Sequence, residues 1–118
     1  MKIQIPWPDR RLSPNARLSW HAKLAAKAEA RLAGFCAARE VFTPGEDSPL
    51  TGALRVTYRI HPPSHRRYDQ DNLLASMKAE IDGVCDGLGI DDVQFRETVI
   101  RWGDVEAGGR VEMEIEEL

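Results

Sequence analysis

A chain of 118 residues, 42% hydrophobic and 30% charged, reads as one globular domain, and at this size folding buries about two-thirds of the unfolded surface, enough for an ordinary core. No run of about 18 apolar residues is present, which excludes a helical membrane span, and the opening MKIQIPWP is too short and too proline-interrupted for a secretory signal, so the expected location is cytoplasmic. The net charge of −3 argues against a simple polyanion binder only as an average: residues 1–67 hold 12 Lys and Arg against 5 Asp and Glu, whereas residues 68–118 hold 4 against 14, an asymmetry that points to a polyanion partner or to two mutually neutralising surfaces.

Along the chain, Ile3, Ile5 and Trp7 alternate with Lys2 and Gln4, a short strand stopped by Pro6 and Pro8. DRRLSPNARLS is a loop. From about Trp20 the period becomes 3.6: Trp20, Leu24, Ala28, Leu32 and Cys36 form an apolar stripe expected to face the core, and Lys23, Lys27 and Arg31 a basic row expected to face solvent. TPGEDSPLTG is the clearest loop. Leu54, Val56, Tyr58 and Ile60 then alternate with Arg55, Thr57, Arg59 and His61, a strand with one apolar and one basic face. Pro62 and Pro63 end it.

A second helix is expected from about Asn72, burying Leu73, Leu74, Met77, Ile81, Val84, Cys85 and Leu88 and ending at Gly87 and Gly89. Two strands close the chain, Val93–Trp102 and a run alternating Val111, Met113 and Ile115 with glutamates, joined as a hairpin through Ala107–Gly109. The expected architecture is α/β (α+β), a mixed sheet with two main helices in the order β-α-β-α-β-β. Cys36 and Cys85 lie in apolar helical patterns and are read as reduced core thiols.

RRYDQDNLLASMK concentrates the chemistry. Asp69 and Asp71 flank Gln70, and in extended backbone both would project to one face. Asp71 is also a candidate N-cap for the second helix. A second acid pair, Asp91 and Asp92, follows that helix, and Arg59, His61, His65, Arg66 and Arg67 lead into the first pair. Carboxylates converging at one place repel unless a cation sits between them. Mg²⁺ suits a few carboxylates, retained waters and substrate phosphates, and there it activates water and offsets charge in phosphodiester hydrolysis. The same acids also admit a plain reading as a cap and solvated side chains. DQDNLLASMKAE fails as a calcium loop because Leu73 and Leu74 occupy the fifth-ligand and glycine places, and Cys and His lack zinc spacing. Lys78, two turns beyond Asp71, could lean over Ala75 toward that site or pair with Asp82 four residues on.

PWP, RRYDQDNLL and the later DDVQ together resemble the RusA family of Holliday junction resolvases of bacteria and prophages, over nearly the whole chain. The resemblance implies a Mg²⁺-dependent homodimer that nicks two opposing strands of a four-way DNA junction, without organic cofactor or membrane. It assigns catalysis and metal to Asp69, Asp71 and Asp92, with Asp91 assisting. The lysine this family places four residues after the second Asp is Ala75 here, leaving Lys78 as the candidate for its role. Arg59, His65, Arg66, Arg67 and Asn72 are the expected DNA contacts. Two alternatives stand beside it: a metal-dependent nuclease for flap or other branched DNA, and a non-catalytic DNA-binding prophage remnant.

Overall fold

Period-two alternation builds the sheet and period-3.6 spacing builds its cover. The computed structural model describes residues 1–118, with β1 (Lys2–Pro6), α1 (Trp20–Arg39), β2 (Leu54–His61), α2 (Gln70–Leu88), β3 (Phe95–Trp102) and β4 (Arg110–Glu117), plus 3₁₀ turns at Arg10–Leu12 and Asp92–Gln94. The fold is α+β, as expected, with a four-stranded mixed sheet ordered β1-β4-β2-β3. Ile3 and Ile5 of β1, Leu54, Val56, Tyr58 and Ile60 of β2, and Val111, Met113 and Ile115 of β4 all turn to one side. There they meet Leu73, Met77, Ile81, Val84 and Leu88 of α2 in one core. No helix is long and apolar enough to cross a membrane.

The expected β3–β4 hairpin does not form. β3 pairs parallel with β2, Arg55 opposite Glu97 through Ile60 opposite Trp102, while β4 lies antiparallel between β1 and β2. The reason is burial. β4 carries three fully buried residues on one face and earns a central place, whereas β3 is largely exposed and takes the edge. The parallel β2–β3 pair needs a crossover, and α2 is that crossover. Consequently the end of β2 lies beside the end of β3, and the start of β2 beside its start.

α1 turns opposite to expectation. Its inward face is Ala26, Ala30, Gly34, Ala37 and Ala38, while Trp20 is 69% exposed, Leu32 63%, and Leu24 and Cys36 are also exposed. Close helix–helix approach selects the small residues. A Cβ on Gly34 would collide with the Glu80 carbonyl, and one on Gly83 with that of Arg31; only a face without bulk lets α1 lie against α2. Cys85 is buried and Cys36 is not, and both are free thiols. Burial pushes the Cys85 thiol up to about 12.

Candidate active site at the two ends of helix α2

The run RRYDQDN offers two capping aspartates, and the chain uses the first. Asp69 has extended backbone, φ −78° and ψ 120°, and its Oδ1 accepts from the Asn72 N–H at 3.0 Å. Asp71 therefore lies inside the first helical turn, where its negative charge complements the helix dipole. The expected cap at Asp71 and the shared extended face for both acids are thereby corrected. The pair straddles the junction of extended and helical backbone.

Around Asp69 the loop after β2 folds into a basic and aromatic cleft of about 650 Å³, lined by His65, Arg66, Arg67, Tyr68, Asp69 and Trp102. A neighbouring cleft shares Arg66, Arg67, Tyr68 and Asp69 and adds Arg10 and Asn72. Within the chain Arg10, His65, Arg66 and Arg67 take no part in any ion pair. The Arg66 guanidinium instead lies 4.9 Å from the Tyr68 ring centroid, a cation–π contact. Tyr68 packs edge-on against Trp7, centroids 5.3 Å apart, and stacks with Trp102 at 6.4 Å. Its hydroxyl shares a 2.8 Å hydrogen bond with Ser64 Oγ. Trp7 is thus partly core, as expected, and also supports the cleft.

At the other end of α2 the acids have different occupations. Gly89 terminates the helix in the left-handed region at φ 69°. Asp91 then caps the following 3₁₀ turn, its Oδ1 accepting from the Val93 N–H at 3.0 Å while Gln94 Oε1 accepts from the Asp91 N–H at 2.9 Å. This is a reciprocal capping box, and Gln94 also donates to the Gly52 carbonyl at 3.1 Å. The motif DDVQ therefore has a structural use independent of chemistry. Lys78 Nζ lies 2.7 Å from Asp92 Oδ2 and 2.8 Å from Asp82 Oδ1. Its hydrogen bonds to Asp82 and then Asp92 hold the ammonium well above its usual range, and the same contact holds the Asp92 carboxyl below its own. Lys78 leans toward the C-terminal end of the helix, not toward Asp71.

The expected convergence of all four carboxylates does not occur within one chain. Asp92 meets α2 at the level of Lys78 and Asp82, roughly 10–16 Å along the axis beyond Asp71 at 1.5 Å per residue. The parallel β2–β3 register has the same consequence, since Asp69 follows the end of β2 and Asp92 precedes the start of β3. Nowhere does the chain gather three or more His, Cys, Asp or Glu side chains into a metal cage. A magnesium ion held by Asp69, Asp71, Asp91 and Asp92 together does not fit a single copy.

The basic face of β2 is likewise neutralised. β4 places Glu116 opposite Arg55 and Glu112 opposite Arg59. Arg59 lies 3.5 Å from Glu112, and Arg55 is 3.1 Å from Glu97 of β3. His61 is buried, with Nδ1 2.9 Å from the Asp104 carbonyl, so it is no surface contact. Of the expected DNA contacts, His65, Arg66, Arg67 and Asn72 gather at the clefts and Arg59 does not. Arg10, Tyr68 and Trp102 escaped the sequence reading. The doublet Arg10–Arg11 in a loop and the tyrosine beside Asp69 were available signals; Trp102 needed the strand order.

No protein-family model matches the chain. It is 36% identical over 109 residues to a protein of Xylella fastidiosa (strain Temecula1 / ATCC 700964) described as an uncharacterized protein, an alignment covering 92% of this chain and 71% of that one.

Proposed function

We propose, for a chain that belongs to one family with that Xylella fastidiosa protein, a Mg²⁺-dependent endodeoxyribonuclease of the RusA type that acts on four-way or other branched DNA. The observation that carries this reading is the meeting of unpaired cations with acid at one helix end: Arg10, Arg66 and Arg67 line clefts that open on Asp69, with Asp71 two residues away. In this reading the arginines hold backbone phosphates, which fixes register without reading sequence. Acids so placed would repel DNA unless a cation intervenes, and that is the chemical reason to favour a metal enzyme over a non-catalytic DNA-binding protein.

The separation of the acids gives the reading its form. One copy presents Asp69 and Asp71 at one end of α2 and Asp91 and Asp92 at the other, so the full carboxylate set requires a second copy running the opposite way. A two-fold dimer then carries two equivalent half-and-half sites, matching the near two-fold symmetry of a four-way junction and the paired nicks the resemblance implies. In that assembly Lys78 accompanies Asp92.

The direct test incubates the protein with a synthetic four-way junction, a flap and a linear duplex, each with Mg²⁺ or with EDTA. Paired nicks on the junction in Mg²⁺ alone are expected. Preferential flap cutting selects the alternative nuclease, and binding with no Mg²⁺-dependent product refutes catalysis.

A further inference from the structure

The cleft beside Asp69 combines features that a phosphate grip does not require. Trp102 is 44% exposed, yet it is fixed. It pairs with Ile60 at the end of β3, its ring stacks with Tyr68 at an interplanar angle of 24°, and the next residue, Gly103, donates to the Ile60 carbonyl at 2.8 Å. Gly103 has no room for a side chain because His61 packs against it. The close His61 ring requires a glycine after Trp102, and the indole at the end of β3 lines the cleft. A rigid aromatic surface costs little conformational entropy when it is used for binding.

The other walls bring charge. Arg66 and Arg67 share the cleft with Trp102, beside His65 and Asp69, and neither arginine takes part in an ion pair within the chain. An aromatic plane flanked by unpaired cations matches a ligand that is flat and carries phosphate. We infer that Trp102, backed by Tyr68, is a stacking platform for one unstacked nucleobase of a DNA strand whose phosphates lie on Arg66 and Arg67. This deepens the proposed function and rests on it for the choice of DNA. It also supplies the discrimination that phosphate contacts lack, because a fully paired duplex offers no free base face, whereas a branch point releases bases at low cost.

The experiment measures affinity without Mg²⁺ for a four-way junction, a single strand, a linear duplex and a mononucleotide, using wild type, Trp102→Ala and Trp102→Phe. Trp102→Ala is expected to weaken junction and single-strand binding by roughly tenfold or more, the scale of one base stacked on an aromatic ring. Duplex affinity should be unchanged, and Trp102→Phe should restore most of the loss. Equal losses on junction and duplex, or no loss on either, overturn the platform. Mononucleotide binding as tight as that of the strand overturns the assignment to a DNA strand. The two readings fail separately: Mg²⁺-dependent cutting with an indifferent Trp102 sinks only the platform, and selective loss in Trp102→Ala without any cutting sinks only the nuclease.

Discussion

The two ends of helix α2 carry the same currency, paired aspartates, in different states. At the N-terminal end, Asp69 spends one oxygen on a cap and Asp71 makes no ion pair, while the cations nearby are unpaired and the surrounding surface is open. At the C-terminal end, Asp91 is tied into a capping box and Asp92 is held by Lys78. The lesson is that a motif's spacing in sequence does not report distance when a helix of five turns stands between its halves. One end is open and flanked by unpaired arginines, and the other is closed on itself.

The largest expected effect comes from removing charge at the open end. Asp71→Asn should lower the Mg²⁺-dependent cutting rate of a four-way junction by at least about hundredfold, on the order of 2.7 kcal/mol of transition-state stabilisation, while junction binding survives or tightens. A rate within about threefold of wild type would show that the open end is not the reactive one. Next, Arg66→Ala with Arg67→Ala should weaken junction binding and reduce the salt dependence of log K by about two units, since each phosphate contact that forms releases about 0.9 counterion and each lost contact removes that release. Arg59→Ala, on the neutralised sheet face, should leave that slope unchanged. Equal slopes for the two variants would erase the contrast between cleft and sheet.

Midway between the ends lies Glu80, 2% exposed, with Oε2 lacking any partner and burial alone raising its carboxyl to about 7. The folded state binds this proton more tightly than the unfolded chain, whose value is about 4.5. Stability should therefore fall as pH rises from about 4.5 to about 7 and level off above, by roughly 3 kcal/mol in total. Denaturant titrations across that range should show the slope in wild type and lose it in Glu80→Gln. The smallest effect belongs to the closed end. Lys78→Met should change folding stability by under about 1 kcal/mol, because both its ion pairs are largely exposed; a larger loss would mean that the lysine clamp organises the fold.

Much of this was legible in the sequence where local pattern and burial agree. The alternations of β2 and β4 and the apolar positions of α2 name their own inward faces. Three readings went wrong, two of them for non-local reasons. In α1 the apolar stripe and the small-residue stripe compete, and the close approach to Gly83 and Gly87 of α2 decides for the small one, leaving Trp20 and Leu32 outside. Short turn residues at Ala107–Gly109 suggested a hairpin, but strand order is decided by which strand has most to bury. Asp69 and Asp71 are equally good caps on composition, and only the helix's starting register chooses between them. At the candidate site the basic residues before Asp69 were readable as a group. The isolation of Asp92 was not, since it follows from the parallel β2–β3 pairing.

The account stands or falls on whether the carboxylates of one site come from two copies of the chain, and subunit mixing measures that directly. Asp71→Asn and Asp92→Asn variants, each inactive alone, are unfolded together, refolded as a mixture and assayed on a four-way junction in Mg²⁺. With the site shared between copies, mixed dimers keep one complete site, so single-strand nicking returns while paired cutting does not. A mixture as inactive as its components, despite demonstrated subunit exchange, would contradict the shared site.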